Sequence, residues 1–249
     1  MLDSQPMIAT TLFSQTPEKP LHLRLPQYVR ADETKRPSMR LTDRDSRILE
    51  AIHAFDGVLS DRQIKSLFFS GTSQMQLRMR LLYQHGYVAR PDRRRRASMT
   101  AMVYWLDTRG AEYVAGLSSI PIEEFSYRHE PKWMQLEHDL VVNDLRIAVM
   151  EACQTTPGFA LEEWIPQGEF WSQPDKVSFT LPNGKNGVRY LRPDGYCVIK
   201  QRDYTSRLLL ELDRATEDNP RFSREKIVPG IAYLRSDAYK KRFGFASGR

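Results

Sequence analysis

The chain has 249 residues, a formal net charge of +6 and 41% hydrophobic residues, which is enough apolar content for two cores of ordinary size. The longest apolar run, Ala101 to Leu106, is too short to cross a bilayer, and the N-terminus lacks a signal-peptide pattern, so we expect a cytoplasmic protein without membrane contact. Two cysteines without CxxC spacing indicate neither a disulfide framework nor a zinc site.

The basic excess is confined to the first half of the chain. Residues 41–117 carry twelve Lys/Arg against eight Asp/Glu, whereas residues 118–249 carry nineteen of each. A modest positive bias of this kind favours a polyanionic partner. Residues 1–39 are rich in proline, serine and threonine and have no apolar period, which predicts a flexible arm.

Three short helices are predicted between residues 40 and 86. Thr42 or Asp43 begins the first, and Ser60 and Ser73 begin the others, because each of these serines is followed three residues later by a glutamine that completes a capping box. Gly86 ends the third helix. The apolar stripe that places one face of this helix in the core is formed by Met75, Met79 and Leu82.

A hairpin and a closing helix are predicted next. Tyr87–Arg90 and Met99–Leu106 are rich in strand-forming residues, and the segment 91–96 between them contains four consecutive arginines, which indicates a tight basic loop. A helix follows from Asp107 to Leu117. Residues 40–117 therefore resemble the winged helix-turn-helix domain of bacterial DNA-binding proteins.

This resemblance implies a set of DNA-contacting residues. In such domains the N-terminal part of the third helix enters the major groove, and the basic wing neutralises phosphates. The alternatives are that the arginines form only a solvated loop, or that the domain contacts a protein through the apolar Leu77 and Leu81. The expected DNA-binding residues are Ser73, Gln74, Gln76, Arg78, Arg80, Arg93, Arg94, Arg95 and Arg96.

The second half of the chain follows a predicted linker at residues 118–133. The pattern predicts a long helix from Trp133 to Ala152, and it predicts a closing helix that turns Ile227, Ile231 and Leu234 inward. Asn183-Gly184 is typical of a hairpin turn. The strands are expected at residues 161–170, 189–200 and 207–213, the last of these central and buried on both faces.

Three carboxylates are expected at one end of this sheet. Glu211 and Asp213 project from the same face of their strand, and Asp194 joins them if its strand lies alongside. Acidic oxygens gathered in this way suit a hard cation such as Mg²⁺. The alternative is that these acids are solvated or pair with neighbouring arginines.

The ordered set of short motifs resembles the replication-relaxation family of plasmid and mobile-element proteins, within the PD-(D/E)xK nuclease-like superfamily. The resemblance implies an α+β chain, a winged helix-turn-helix followed by an α/β, restriction-endonuclease-like domain at residues 134–249. It implies Asp194, Glu211 and Glu137 as Mg²⁺ ligands. The motifs are Leu136-Glu137-His138-Asp139, Asn143-Asp144, Arg192-Pro193-Asp194 and Glu211-x-Asp213-Arg214-x-Thr216.

One departure from the nuclease pattern leaves two expected functions. Asp213 occupies the position where active nucleases carry a lysine, although Lys226 supplies a cation nearby in sequence. The first expectation is a non-enzymatic factor that binds double-stranded DNA without a cofactor, as a homodimer or with replication or transfer proteins. The second is a Mg²⁺-dependent endonuclease or nickase whose catalytic residues are Asp194, Glu211, Asp213 and Lys226.

Overall fold

The computed structural model describes residues 26–213 and 219–244, which form a mixed α+β fold. In the first half, β1 (Leu59–Ser60), β2 (Val88–Ala89) and β3 (Val103–Leu106) form an antiparallel sheet in which β3 is central. The helices of this half are α1 (Asp43–Ala54), α2 (Asp61–Phe68), α3 (Thr72–Gln84), α4 (Arg93–Arg96) and α5 (Thr108–Leu117).

The helices of the first half begin where their side chains cap the backbone. Thr42 and Ser60 close the capping boxes of α1 and α2, as the sequence predicts. The box predicted at Ser73 is wrong, because α3 begins after Gly71 without a side-chain cap. The core-facing stripe of α3 is confirmed, since its members Met75, Met79 and Leu82 are buried.

The segment between β2 and β3 differs from the predicted basic loop. Its four arginines form the single turn of α4, because the side chain of Asp92 accepts a hydrogen bond from the backbone N–H of Arg95 at 2.7 Å. We call residues 91–98 the arginine turn. A capped turn fixes the directions in which these side chains leave the backbone.

Part of the predicted flexible arm is fixed against α3, and residues 1–25 lie outside the described ranges. The buried side chain of Gln84 accepts a hydrogen bond from the N–H of Ala31 at 2.7 Å and donates to the carbonyl of Pro26 at 2.7 Å. Arg30 forms an ion pair with Asp107. Residues 26–31 therefore contact α3 and the start of α5, and the predicted domain boundary at residue 40 stays a prediction.

The second half contains two further sheets. Strands β4 (Phe159–Pro166), β7 (Gly195–Gln201) and β8 (Tyr204–Leu210) form one antiparallel sheet, and β5 (Asp175–Thr180) pairs with β6 (Asn186–Leu191) in a hairpin that turns at Asn183-Gly184 as predicted. Among the described helices, none is both long and apolar enough to span a membrane. The helices are α6 (Leu136–Thr155), α7 (Gln167–Ser172), α8 (Asn219–Phe222), α9 (Val228–Leu234) and α10 (Asp237–Phe243).

Two predicted strands are corrected. The predicted strand 189–200 is interrupted at Pro193, which has no backbone N–H, and it contributes to β6 and β7 in different sheets. The triple-leucine strand β8 was expected to be central and buried. Within the described sheet it is instead an edge strand whose leucines are half-buried, and the central strand is β7.

The predicted closing helix is also corrected. A π-helical turn at Ser223–Ile227 joins α8 to α9, and Ser236 caps a new helix, α10. A π turn adds residues to the helical repeat and so rotates the side chains that follow it. Ile227 and Ile231, which were expected to face inward, are 41% and 46% exposed, and Tyr233 and Tyr239 fill the core. Leu234 packs against that core as predicted.

Helix α6 connects the two halves. Ile147 belongs to the apolar core of the first half, whereas the other contacts of α6 include β4. The side chain of Asn143 donates to the carbonyl of Val58 at 2.8 Å, and Gln63 donates to Asp144 at 2.6 Å. The bond of the buried Asn143 explains why α6 carries this polar residue on a packed face, whereas Asp144 lies on an exposed part of the helix.

Candidate nucleic-acid interface and carboxylate cluster

A basic cleft of about 620 Å³ lies between α3 and the arginine turn. Side chains from the end of β2, from α4 and from β3 complete its wall. Asp61 is the single acidic residue among those that line it. The residues that give the cleft its chemistry are Gln76, Arg80, Arg90, Arg93, Arg96 and Tyr104.

The outer face of α3 presents four of the nine residues that were predicted to contact DNA. Ser73, Gln74, Gln76 and Leu77 are exposed, and Arg80 is half-buried at the wall of the basic cleft. This face lies opposite the buried methionines of the same helix. The structure therefore leaves these polar residues of α3 accessible, with Gln76 and Arg80 lining the basic cleft and Gln74 lining a second depression beside α1.

Arg78 is the exception, because its guanidinium is bonded within the protein, and its predicted contact with DNA stays untested. Its Nε donates to Asp45 Oδ1 at 2.7 Å, its Nη2 also contacts that carboxylate, and Nη2 donates to the carbonyl of Arg40 at 2.8 Å. Asp45 is fully buried. Burial by itself raises the pKa of Asp45, but the hydrogen bonds from Arg78 and Thr42 lower this pKa below its ordinary value. Arg78 thus neutralises an internal charge.

The four arginines of the arginine turn have different surroundings. Arg93 and Arg94 are exposed. The guanidinium of Arg95 lies 4.5 Å from the ring centroid of Trp133, and Arg96 donates to the carbonyl of Met99. Two of the arginines therefore help to fix the turn, and two extend from it toward solvent.

Arg90 is a residue of the cleft that the sequence did not single out. It follows β2, and its side chain is only 9% exposed at the inner wall of the basic cleft. The guanidinium carbon lies 4.0 Å from the ring centroid of Tyr83. In the sequence Arg90 reads as the last residue of a predicted strand, and nothing local indicates that the residue is buried.

The predicted pairing of the strands that carry the acids is confirmed. Gly195 lies opposite Leu210 in the register of β7 and β8, so Asp194 adjoins the residues that follow β8. The backbone N–H of Asp194 donates to the carbonyl of Leu210 at 2.9 Å, and the N–H of Leu212 donates to Asp194 Oδ2 at 2.7 Å. Asp194 therefore bridges the ends of the two strands.

Two basic side chains of the protein contact the acids. His138 Nε2, on α6, lies 2.9 Å from Asp194 Oδ1, and Lys226 Nζ, in the π turn, donates to Glu211 Oε2 at 2.7 Å. The hydrogen bond with Asp194 raises the pKa of His138. We call His138, Asp194, Glu211 and Lys226 the carboxylate cluster. In the sequence His138 belongs to the motif Leu136-Glu137-His138-Asp139, and its contact with Asp194 was not predicted.

Burial dominates the electrostatics of Glu211. It raises the pKa of this carboxyl to about 6, and Lys226 offsets only part of the effect. Asp213, two residues further along, is exposed. Of the two carboxylates projecting beyond β8, one is therefore desolvated beside a lysine and the other lies at the surface.

The donor set of the carboxylate cluster does not fit Mg²⁺ in this arrangement. Both oxygens of Asp194 and one of Glu211 accept hydrogen bonds, two of the donors being the cationic Lys226 and the basic His138. A divalent cation would have to displace them. Within the described ranges, no three histidine, cysteine or acidic side chains are grouped to hold a metal ion, and Glu137 lies on an exposed part of α6. The ligand set of Asp194, Glu211 and Glu137 stays a prediction.

Comparison with protein families decides the relationship of the chain. The family model described as replication-relaxation matches residues 49–246, which is most of the sequence. The chain belongs to the replication-relaxation family. The family description indicates a role in the replication or relaxation of mobile elements. No curated protein and no solved structure matches the chain.

The carboxylate cluster of this replication-relaxation protein and all of the basic cleft except Gln27 and Tyr28 lie inside the range that defines the family. The match begins within α1 and ends just after α10, so it includes nearly all of the basic cleft, α6 and the carboxylate cluster. The family relationship therefore concerns both halves together.

Proposed function

We propose that this protein is a DNA-binding accessory factor of a plasmid or mobile element, acting in replication, relaxation or transfer, or transcription control. Residues 40–117 would bind duplex DNA as a winged helix-turn-helix. The order α1, β1, α2, α3, β2, arginine turn, β3, α5 supports this proposal, because it is the order of such a domain. The replication theme of the family supports the biological setting.

The observation that carries the proposal is the basic cleft beside the exposed face of α3. A helix that presents glutamine and serine side chains can enter a major groove while arginines at its flank neutralise the adjacent phosphates. Arg80 and Arg93 line the cleft from opposite elements. The charge is thus concentrated where a groove-bound helix would meet the DNA backbone.

The proposed contacts differ in kind. Ser73, Gln74 and Gln76 would contact base edges, because hydroxyl and amide groups form directional hydrogen bonds with them. Arg80, Arg93 and Arg94 would bind phosphates. Arg95 and Arg96 would mainly hold the arginine turn in place, since both contact the protein itself.

The second half would be a nuclease-like domain that no longer cleaves. Its central carboxylates are occupied by His138 and Lys226, and the acidic Asp213 lies where a nuclease carries its lysine. A carboxylate at that position opposes the charge that develops in phosphodiester hydrolysis. In this proposal the domain serves as a DNA-contact or dimerisation module.

An active Mg²⁺-dependent endonuclease is the second candidate function. It is favoured by the 2.7 Å contact between Lys226 and Glu211, because a lysine from the π turn provides the cation that the motif position lacks. In this candidate Asp194 and Glu211 would hold the metal after Lys226 or His138 moves away. The two candidates predict opposite results in one cleavage assay.

DNA binding is tested by fluorescence anisotropy with a labelled duplex over a range of KCl concentrations. The wild type should bind, and log K should fall with log salt by roughly 0.9 for each phosphate neutralised. Replacing Arg93 and Arg94 together with methionine should reduce the slope, whereas Arg47→Met, on the exposed surface of α1, should leave it unchanged. Absence of binding by the folded wild type would refute the proposal.

Cleavage is tested with supercoiled plasmid in Mg²⁺ or Mn²⁺. The accessory-factor proposal predicts no nicking and DNA binding that chelator does not affect. Nicking that disappears in Asp194→Ala and Glu211→Ala, while binding persists, would establish the endonuclease instead.

We also propose that the protein acts as a homodimer, with replication or transfer proteins of the same element as partners. The hairpin strand β6 exposes Val188 and Tyr190, at 59% and 57%, which offers an apolar surface for a second copy. Light scattering with and without duplex DNA measures the oligomeric state, and a monomer under both conditions would contradict dimerisation.

A further inference from the structure

Arg90 is a buried cation whose hydrogen-bonding capacity is only partly used by the described part of the protein, because its side chain has one hydrogen-bonding partner, Tyr104. The residue is 9% exposed, and its Nε and Nη2 atoms have no hydrogen-bond acceptor among residues 26–213 and 219–244. Leaving charged donors unpaired away from water is unfavourable. A side chain of this kind is expected where a ligand provides the missing acceptors.

The aromatic contacts of Arg90 account for its position but provide no acceptors for Nε and Nη2, which are buried behind the wall of the cleft. Its guanidinium carbon lies 4.0 Å from the ring centroid of Tyr83 and 6.0 Å from that of Tyr28. Contact over an aromatic ring uses the flat face of the guanidinium. The N–H groups point outward in the guanidinium plane, so the side chain can contact the rings and bind an acceptor at the same time.

The side chains around Arg90 favour a negatively charged ligand. The cleft of about 620 Å³ is also lined by Arg80, Arg93 and Arg96, against one acidic residue, Asp61. An uncharged ligand would leave this excess positive charge uncompensated. A phosphate group satisfies it and matches the forked donor geometry of arginine.

We propose that the basic cleft is a phosphate-binding pocket in which Arg90 receives one phosphodiester of the bound DNA strand. The inference rests on the proposed DNA-binding function and adds a residue and a ligand group to it. The chemistry is that of a phosphate oxygen on a guanidinium fork, and free phosphate offers the same chemistry. The experiment therefore treats the two sources separately.

The test compares Arg90→Met with Arg47→Met, which removes an equal charge from the exposed surface of α1. Anisotropy with a labelled duplex measures the affinity and its salt slope. A thermal shift with inorganic phosphate, against chloride at equal ionic strength, measures binding of the free anion. Arg90→Lys retains the charge without the fork.

Arg90→Met should weaken DNA binding about tenfold relative to Arg47→Met and reduce the salt slope by roughly 0.9. Arg90→Lys should retain the slope with a smaller loss of affinity. Equal binding by Arg90→Met and Arg47→Met would overturn the proposal. If Arg90→Met does not fold, Arg90→Lys is compared with Arg47→Lys by the loss of DNA affinity, and equal binding by these two variants would overturn the proposal.

The phosphate measurement separates this proposal from the proposed function. If the wild type does not bind DNA, the DNA-binding function fails and the phosphodiester is excluded as the ligand. Stabilisation of the wild type by phosphate, absent in Arg90→Met, would then assign the pocket to free phosphate. No effect of either DNA or phosphate would overturn the pocket itself.

Discussion

Replacing Arg78 with methionine should destabilise the protein without weakening its affinity for DNA. Arg78 looks like a DNA contact in the sequence because it lies on α3 between Leu77 and Met79, close to the predicted reading face. In the structure its side chain is 22% exposed and is bonded to Asp45, which is fully buried. The substitution would leave that carboxylate without its cation.

The structure indicates the size of the effect. Asp45 accepts two hydrogen bonds from Arg78 and two from Thr42, and only the second pair survives the substitution. Removing one partner of a buried ion pair costs about 3–5 kcal/mol. For a protein of this size that loss lowers the melting temperature by roughly 10 °C.

Arg80→Met is the matched control, because Arg80 lies two residues further along the same helix and lines the basic cleft. It should leave the melting temperature within about 2 °C and weaken DNA binding. Calorimetry and anisotropy, the latter measured well below both melting temperatures, separate the effects. An unchanged melting temperature in Arg78→Met, or a larger loss of DNA affinity than in Arg80→Met, would refute the reasoning.

Three further predictions concern packing, pH and the N-terminal segment. Gly110→Ala should lower the free energy of unfolding in urea by about 1–3 kcal/mol, because a Cβ there would lie 1.9 Å from the Tyr87 carbonyl oxygen. Gly116→Ala on the same helix places its Cβ where no atom lies within 4 Å, and it should stabilise the protein by about 0.5–1 kcal/mol. The free energy of unfolding should fall by about 2 kcal/mol as the pH rises from 4.5, the ordinary pKa of Glu211, through its raised pKa of about 6, because burial favours the neutral form of this carboxyl. Glu211→Gln should remove this fall. Gln84→Leu should release residues 26–31, which trypsin would then cleave faster after Arg30.

Each of these predictions has a control variant or an outcome that contradicts it. Equal stabilities of the Gly110→Ala and Gly116→Ala variants would show that α5 tolerates the close approach. His138 has a raised pKa and so adds a second loss of stability as the pH rises above 6.5, and His138→Gln serves as the control that removes only this loss. For the N-terminal segment, Gln74→Leu on the exposed face of α3 should leave the cleavage rate unchanged.

Features set by neighbouring residues could be predicted from the sequence. Thr42 and Ser60 cap α1 and α2, and Asn183-Gly184 turns the β5–β6 hairpin, because each signal acts over a few residues. The core stripe of α3 follows from helical spacing in the same way. These elements needed no knowledge of distant contacts.

Features set by distant contacts could not be predicted. The partner of Arg78 lies 33 residues away, so its role as an internal cation has no local signal. Burial of Arg90 likewise depends on Tyr83 and on the residues opposite it in the cleft. The phase of the closing helices changed because a π turn rotates all later side chains, a shift that an ideal helical period does not contain.

The candidate carboxylate cluster was partly visible in the sequence. Pairing of the strands beside Asp194 and Glu211 followed from alternation and from the position of the acids at strand ends. The contact between His138 and Asp194 did not, because it depends on how α6 packs across the sheet. The sequence signal for this contact was the presence of polar residues on the otherwise apolar helix α6.

Because α6 packs against both halves, neither half is expected to be stable when the chain is truncated between them. A fragment starting at residue 134 would expose Leu136 and Ile147, which are each 6% exposed in the whole protein. A fragment ending at residue 117 would lose these two side chains, so the apolar residues of the first half that pack against them would become exposed. Truncations at either position should therefore aggregate. The first half would also lose the donor that Asn143 provides to the carbonyl of Val58. A duplex bound as proposed by the first half would keep a fixed orientation to the second, because α6 packs against both.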